Sequence, residues 1–140
     1  MNSARFFIIA LLVLMTVGCG DKKVQLTGTV TYSDDGTPLE IGTVGFTTET
    51  YSARGVLAPD GTYTVSSVNP KDGLPPGKYK VYISAAHRAI DRGPEEMTLY
   101  VPLIDTKYED PNTSGLEVEV DAKTKTFNFQ VDRYVDANQR

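Results

Sequence analysis

The sequence predicts an all-β fold, a seven-stranded antiparallel Greek-key β-sandwich that follows an N-terminal signal segment. Apolar and polar residues alternate over short runs, which is typical of strands with one buried face. Gly, Pro, Asn and Asp cluster between these runs, as they do in the turns of all-β domains. Beyond the leader, the chain has no stretch of helical periodicity. These three observations favour a sandwich over a helical or mixed domain.

Seven strands are predicted in order, with turn residues between them. They cover residues 24–32, 43–48, 54–57, 62–68, 78–85, 116–120 and 127–131. Gly28 interrupts the apolar face of the first strand, which predicts a bulge or a close approach of another backbone. The turn from Pro59 to Gly61 leads into the fourth strand. In the fifth strand, alternation places four side chains inward: Tyr79, Val81, Ile83 and Ala85.

The chain begins with a short hydrophobic leader. Arg5 gives it a weakly positive start, and residues 6–15 are an unbroken apolar run. A membrane-spanning helix needs about 20 apolar residues, so this run is too short to cross a bilayer. A positive start, a short apolar segment and the small residue Gly18 before Cys19 are typical of an export signal.

Residues 17–19 (VGC) resemble the lipobox of bacterial lipoproteins, from which the chain departs at Thr16, where Leu is usual. The resemblance implies a lipoprotein signal peptide at 1–18 that is cleaved between Gly18 and Cys19. It also implies a diacylglyceryl thioether on Cys19, with further acylation of the new amino group.

A lipid anchor on Cys19 would hold the mature domain at a membrane through a short tether, residues 19–23. Each buried methylene contributes about 0.8 kcal/mol, and two or three acyl chains make the attachment effectively permanent. We therefore expect the protein in the cell envelope, facing the periplasm or the exterior. Two alternatives stay open: a plain cleaved signal with Cys19 incidental, and an uncleaved N-terminal anchor.

Composition limits the partners and the architecture. The net charge of −4 becomes about −5 once Arg5 is removed with the leader, so no nucleic-acid partner is expected. About 120 residues remain, enough for one domain with its own core. Cys19 is the only cysteine, so the domain has no internal disulfide and depends on its apolar core.

Three turn-rich segments resemble the carboxypeptidase regulatory-like domain: 29–32 (TVTY), 59–63 (PDGTY) and 74–81 (LPPGKYKV). The resemblance extends over residues 24–132 and implies a transthyretin-like (prealbumin-like) sandwich. Because these motifs are mostly turns, they specify a fold and leave the activity open. The polar tail at 133–140 follows the sandwich, and the chain is expected to fray from Asp132 onward.

The connection at 86–115 has no strong strand or helix periodicity, and connections of this length in compact domains are often functional. Its first part, 87–96, is charged and is expected to be solvated, whereas 97–101 is a candidate short edge strand that Pro102 ends. Two roles stay open. One is a recognition loop, and the other is a strap that covers a sheet edge with apolar side chains. The strap residues would be Leu99, Val101, Leu103, Ile104 and Tyr108.

The sequence supplies no catalytic constellation. His87 is the only histidine, its neighbours are charged, and the chain has no Gly-x-Ser-x-Gly elbow for a Ser–His–Asp mechanism. We therefore expect no enzymatic activity and no cofactor. No metal site is predicted either. The adjacent carboxylates of Asp34 and Asp35 are the one calcium alternative, but turn aspartates more often bind their own backbone.

Aromatic and basic side chains are the candidate binding residues. Three tyrosines are candidates to stack on sugar rings: Tyr51, Tyr82 and Tyr100. Arg88 and Arg92 lie in the charged part of the long connection. The sequence thus predicts a lipid-anchored envelope protein whose sandwich is a non-catalytic structural or interaction module, with an envelope protein or polysaccharide as partner. The alternative is a carbohydrate- or peptide-binding module that uses exposed tyrosines or the 87–100 loop.

Overall fold

The computed structural model describes residues 22–139, and within them the fold is nearly all β, which confirms the predicted class. Nine strands are present in this part of the chain: β1 (Thr27–Tyr32), β2 (Thr43–Thr47), β3 (Ser52–Val56), β4 (Thr62–Thr64), β5 (Gly77–Ser84), β6 (His87–Ile90), β7 (Leu99–Pro102), β8 (Leu116–Val120) and β9 (Phe129–Val131). Two short 3₁₀ helices accompany them, at Thr106–Glu109 and Ala137–Gln139. The structure adds two strands to the seven predicted ones: β6, which was not predicted, and β7, which falls on the candidate edge strand at 97–101.

The strands form two larger sheets and one two-stranded ribbon. The orders are β4-β1-β9, β3-β2-β5-β8 and β6-β7. The prediction of a purely antiparallel sandwich is wrong for one pair, because β9 runs parallel to β1. The chain before β9 already runs beside the start of β1, where the N–H of Thr27 donates to the carbonyl of Lys125 (3.0 Å). A strand that arrives in this direction pairs in parallel. The Greek-key connection and the prealbumin likeness stay predictions.

The core lies between the two larger sheets and follows from the period-two alternation of the strands. Along β5, Tyr79, Val81 and Ile83 are buried and alternate with exposed or half-buried neighbours. The ring centroids of Phe46 on β2 and Tyr63 on β4 are 6.0 Å apart, so side chains of both sheets meet in one core. A fully buried side chain of this size contributes about 1.5–3 kcal/mol. Burial is therefore the main stabilising term in a domain without disulfides.

Gly28 marks the close backbone approach that its position in β1 predicted. A side chain here would collide with the carbonyl oxygen of Phe127 and with the phenol of Tyr63. The Tyr63 hydroxyl donates a hydrogen bond to that same carbonyl. Burial raises the pKa of the Tyr63 phenol, which keeps it protonated as a donor. β4 and the segment before β9 are thus joined directly across the glycine.

Two strands differ from their predicted extents because of local backbone geometry. The fourth strand ends early, and the chain then crosses to the other sheet, where Ser66 pairs with Arg54 on β3. The two backbone hydrogen bonds of this bridge are 2.8 and 2.9 Å long. Ala85 was predicted to face inward but is exposed. Its φ of +57° is left-handed, and the resulting turn places Ala86 in the core instead.

The domain continues past the predicted boundary at Asp132. The guanidinium of Arg133 bonds the carboxylates of Asp34 and Asp35 at 2.8 Å each. It also lies 3.6 Å from the ring centroid of Tyr32, a cation–π geometry. The Thr37 hydroxyl accepts a further hydrogen bond from the guanidinium (2.9 Å), so the expected fraying is wrong for Arg133, which four side chains hold against β1 and its turn. Asp34 and Asp35 were the candidate calcium ligands. In the structure their carboxylates pair with the guanidinium of Arg133.

Candidate functional site

The predicted anchor, Cys19 with the cleavage site after Gly18, lies outside the described residues, as does the signal peptide. Within residues 22–139, no helix has the length and apolar character needed to cross a membrane. The candidate binding residues of the long connection and of β5 are all described. Their positions decide which of them can act together.

The connection between β5 and β8 combines a buried base with a projecting ribbon. Ile104 is fully buried, Tyr108 is nearly so, and Leu103 packs against the same core. Leu99 is exposed. The prediction that apolar side chains of this connection pack against the core is therefore right for Leu103, Ile104 and Tyr108 and wrong for Leu99. The N–H of Leu103 donates to the carbonyl of Ala86 (2.9 Å), which closes the ribbon where it leaves the core.

A polar network around Asp132 fixes the base of the ribbon. Its carboxylate accepts hydrogen bonds from Lys107 (2.7 Å), Ser33 (2.7 Å) and Tyr108 (3.0 Å). These donors, the Lys107 ammonium first among them, lower the pKa of Asp132 to about 2. Asp105 caps the 3₁₀ helix by accepting the N–H of Lys107 (3.0 Å). The 3₁₀ helix below the ribbon is therefore joined to the end of β9.

β6 and β7 form an antiparallel ribbon that, among the described strands, pairs with neither larger sheet. Ile90 lies opposite Leu99 near its outer end. The solvated loop predicted at 87–96 is therefore a strand in its first four residues, which is a correction to the prediction. The turn that follows begins at Asp91, whose carboxylate accepts the N–H of Gly93 (2.9 Å).

Large apolar side chains are exposed near the outer end of this ribbon. Met97 is 90% exposed and Tyr100 is 66% exposed, while Ile90 and Leu99 are exposed to a lesser degree. Directly opposed residues share one face of an antiparallel ribbon, so Ile90 and Leu99 lie on one face and Tyr100 lies on the other. We call these four residues the apolar tip.

The predicted arginines lie on the same ribbon as the apolar tip. Arg88 is exposed on β6. Arg92 lies in the turn, where its guanidinium is 3.8 Å from the carboxylate of Glu96. The structure thus brings three of the four predicted binding residues, Tyr100 and the two arginines, onto one element. Tyr, Met and Arg are residue types that are enriched in protein interfaces.

The other two candidate tyrosines pack against the fold. Tyr82 lies on the outer face of the four-stranded sheet, opposite Gly45 on β2, and its ring fills the space that a side chain at Gly45 would need. Tyr51 is half-buried, with its ring edge-on to that of Tyr79 at a centroid distance of 6.4 Å. Tyr82 and Tyr100 therefore lie on different elements and do not form one stacking platform.

His87 has a structural position at the base of the ribbon. Its Nε2 atom lies 3.3 Å from Oε1 of Glu109 in the 3₁₀ helix, without the geometry of a hydrogen bond. In the part of the chain that the structure describes, Asp, Glu, His and Cys residues do not gather in a group of three or more that could hold a metal ion.

Sequence reasoning did not single out Met97 and Ile90. Ile90 belongs to the charged segment at 87–96 that was predicted to be solvated, and Met97 begins the candidate edge strand at 97–101, where it was not considered as a binding residue. One signal was present: Met97 directly follows Glu95 and Glu96, and a large apolar side chain is unusual at the end of a solvated charged loop.

No protein-family model matches this chain, and no curated protein matches it. Two solved structures are similar to it. A DUF3823 family protein from Bacteroides ovatus has 21% sequence identity and a TM-score of 0.44, with 80% of this chain and 45% of that chain covered. A 9R-lipoxygenase from Cyanothece has 15% identity and a TM-score of 0.36, with 78% and 16% covered. The chain thus spans less than half of either structure, and its all-β class rests on its own strands.

Proposed function

We propose that this chain is a lipid-anchored protein of the cell envelope whose β-sandwich serves as a non-catalytic interaction module. The short apolar leader and the lipobox-like residues 17–19 support the anchor. An exported and anchored domain of this kind would face the periplasm or the exterior. Its partner, under this proposal, is another protein of the envelope.

The apolar tip is the observation that carries the proposed interaction. Large apolar side chains that are exposed on both faces of one ribbon, with charged residues beside them, are typical of an element that another protein covers. Met97 and Tyr100 are the most exposed residues of the apolar tip, and Arg88 and Arg92 supply charge on the same ribbon. Tyr and Arg are also over-represented among the residues that dominate binding energy.

The buried base of the ribbon supports a binding role for its outer end. Ile104 is locked in the core, and the carboxylate of Asp132 ties the 3₁₀ helix to β9. A surface mounted on a fixed base loses less conformational entropy when a partner binds. The ribbon is therefore suited to present the tip in one orientation.

A carbohydrate-binding module is the alternative, and it depends on exposed aromatic rings. Of the three candidate tyrosines, Tyr100 has a largely exposed ring, whereas Tyr82 covers Gly45 and Tyr51 packs against Tyr79. A single exposed ring offers one stacking contact. The protein-binding proposal uses the neighbouring apolar and basic side chains as well, and for this reason we favour it.

A comparison of matched variants tests the proposal. The full-length chain with a C-terminal affinity tag is expressed in its native envelope, cross-linked, solubilised and purified with its partners. The test variant is Met97→Ser combined with Tyr100→Ser. The control is Val68→Ser, which also removes a highly exposed apolar side chain but lies in the loop after β4.

We expect one or more envelope proteins to co-purify with the parent chain and with Val68→Ser and to be lost with the double variant. Identical partners in all three samples would refute the role of the tip. Glycan binding by the parent chain that Tyr100→Ala abolishes, together with unchanged protein partners, would favour the carbohydrate alternative.

A further inference from the structure

The end of the domain that joins the tether has a cavity of about 520 Å³ with lysines on its rim. Lys22 and Lys23 line it from the tether, and Lys125 lines it from the loop before β9. The tether is docked at this end. The N–H of Val24 donates to the carbonyl of Leu74 (2.7 Å), and the N–H of Leu74 donates back (3.0 Å). The lysines are therefore attached to backbone that is held in place where the chain enters the fold.

Most of the positive charge around this cavity is not neutralised by the described residues. Lys22 and Lys125 form no ion pair with any residue in the range 22–139. Lys23 pairs with Asp72 (2.8 Å). Lys22 and Lys125 therefore give this cavity a positive rim among the described residues, in a chain whose net charge is −4. We call Lys22, Lys23 and Lys125 the lysine cluster.

The lysine cluster lies within reach of the predicted anchor. Cys19 precedes Lys22 by three residues, with Gly20 and Asp21 between them. At about 3.6 Å per extended residue, the two backbone positions are at most about 11 Å apart. The Debye length is about 10 Å at 0.1 M salt, so the lysine charges act on any headgroup layer that holds the anchor.

We propose that the lysine cluster binds the anionic headgroups of the membrane that holds the lipid anchor. This inference rests on the proposed anchoring and adds a second, electrostatic contact that orients the domain on the bilayer. Lysines held close to a membrane attachment are attracted to an anionic lipid surface. The anchor keeps the local concentration of headgroups high, so individually weak contacts suffice.

Lysine acylation of the vesicle-bound protein tests this inference. The mature lipidated chain is reconstituted into phosphatidylcholine vesicles and into vesicles that also contain phosphatidylglycerol. Flotation first separates vesicle-bound protein from free protein. A brief exposure to an amine-reactive ester, followed by peptide mass spectrometry, then gives the acylation rate of each lysine.

We expect the acylation rates of Lys22 and Lys125 to fall several-fold on the anionic vesicles at low salt and to recover at high salt. Lys80 is the internal control, because it is exposed on the outer face of the four-stranded sheet. Its rate should be the same on both kinds of vesicle. Replacing Lys125 by Gln should reduce the protection of Lys22, whereas Lys80→Gln should leave it unchanged.

Two negative results are distinguishable. Equal acylation rates on both vesicle types, in protein that floats with the vesicles, would overturn the headgroup contact and leave the anchor intact. A mature chain that fails to float would overturn the proposed anchoring, and this inference with it.

Discussion

The two parts of the connection between β5 and β8 should respond oppositely to substitution. Ile104 is 0% exposed at the base of the ribbon, whereas Met97 is 90% exposed at the tip. We compare Ile104→Ala with Met97→Ser. If the base belongs to the core and the tip belongs to a binding surface, the first change should affect stability and the second should not.

The expected magnitudes follow from burial. Replacing a buried Ile by Ala removes three carbon atoms and leaves a cavity, which costs about 2–5 kcal/mol in well-packed cores. The hydrogen bonds around Asp132 and the bridge from Ile104 to Arg133 limit how far this site can collapse. We therefore expect a loss of at least about 3 kcal/mol for Ile104→Ala. An exposed substitution such as Met97→Ser should change stability by no more than about 0.5 kcal/mol.

Urea unfolding followed by tyrosine fluorescence measures both effects. The background is the chain without residues 1–18 and with Cys19→Ser, which carries neither the apolar leader nor a lipid and can therefore be titrated in solution. Ile104→Ala should lower the midpoint with an unchanged m value, since the surface exposed on unfolding stays the same. A loss for Met97→Ser as large as that for Ile104→Ala would refute the division into base and tip. So would an Ile104→Ala variant with parent stability.

Two further predictions concern the close approach at β1 and the pH dependence of stability. Gly28→Ala should destabilise the domain by about 1–3 kcal/mol, because the added methyl group would collide with the Phe127 carbonyl and the Tyr63 phenol. Thermal unfolding measures this loss, and an unchanged melting temperature would contradict the prediction. Hydrogen bonds from Thr37, and then Arg133, lower the pKa of Asp35 to about 2, and the pKa of Asp132 is also about 2. Depressed pKa values stabilise the fold above the ordinary value of 3.8, and this contribution is lost as the pH falls through 2. The melting temperature should drop in this window, and Asp132→Asn should make the drop smaller; an equal drop would contradict the assignment.

Strands with one buried face could be predicted because burial imposes a period of two. β5 and β8 both alternate in sequence and in structure, with Val81 and Val118 buried between polar neighbours. β6 could not be found this way. It belongs to a ribbon with no buried face, so burial imposes no alternation on residues 87–90. The alternation along β5 predicted that Ala85 faces inward. Its left-handed φ depends on how the chain turns at the end of β5, which the neighbouring residues do not indicate.

Only part of the candidate site could be predicted from the sequence, because its other features depend on contacts between distant parts of the chain. The sequence offers Tyr82 and Tyr100 equally as exposed tyrosines. In the structure the Tyr82 ring packs over Gly45, and this contact depends on the pairing of β2 with β5. Arg133 was assigned to a fraying tail because its partner, Asp34, lies 99 residues earlier in the chain. Contacts over such distances leave no periodicity in the sequence.

The intact mass of the protein recovered from membranes shows whether Cys19 carries the lipid anchor. We expect a chain that begins at Cys19 and whose mass exceeds that of the polypeptide by a diacylglyceryl group, with or without a further acyl chain. Tandem fragmentation should place the added mass on Cys19. A chain that retains residues 1–18, or one that begins at Cys19 with an unmodified thiol, would contradict it.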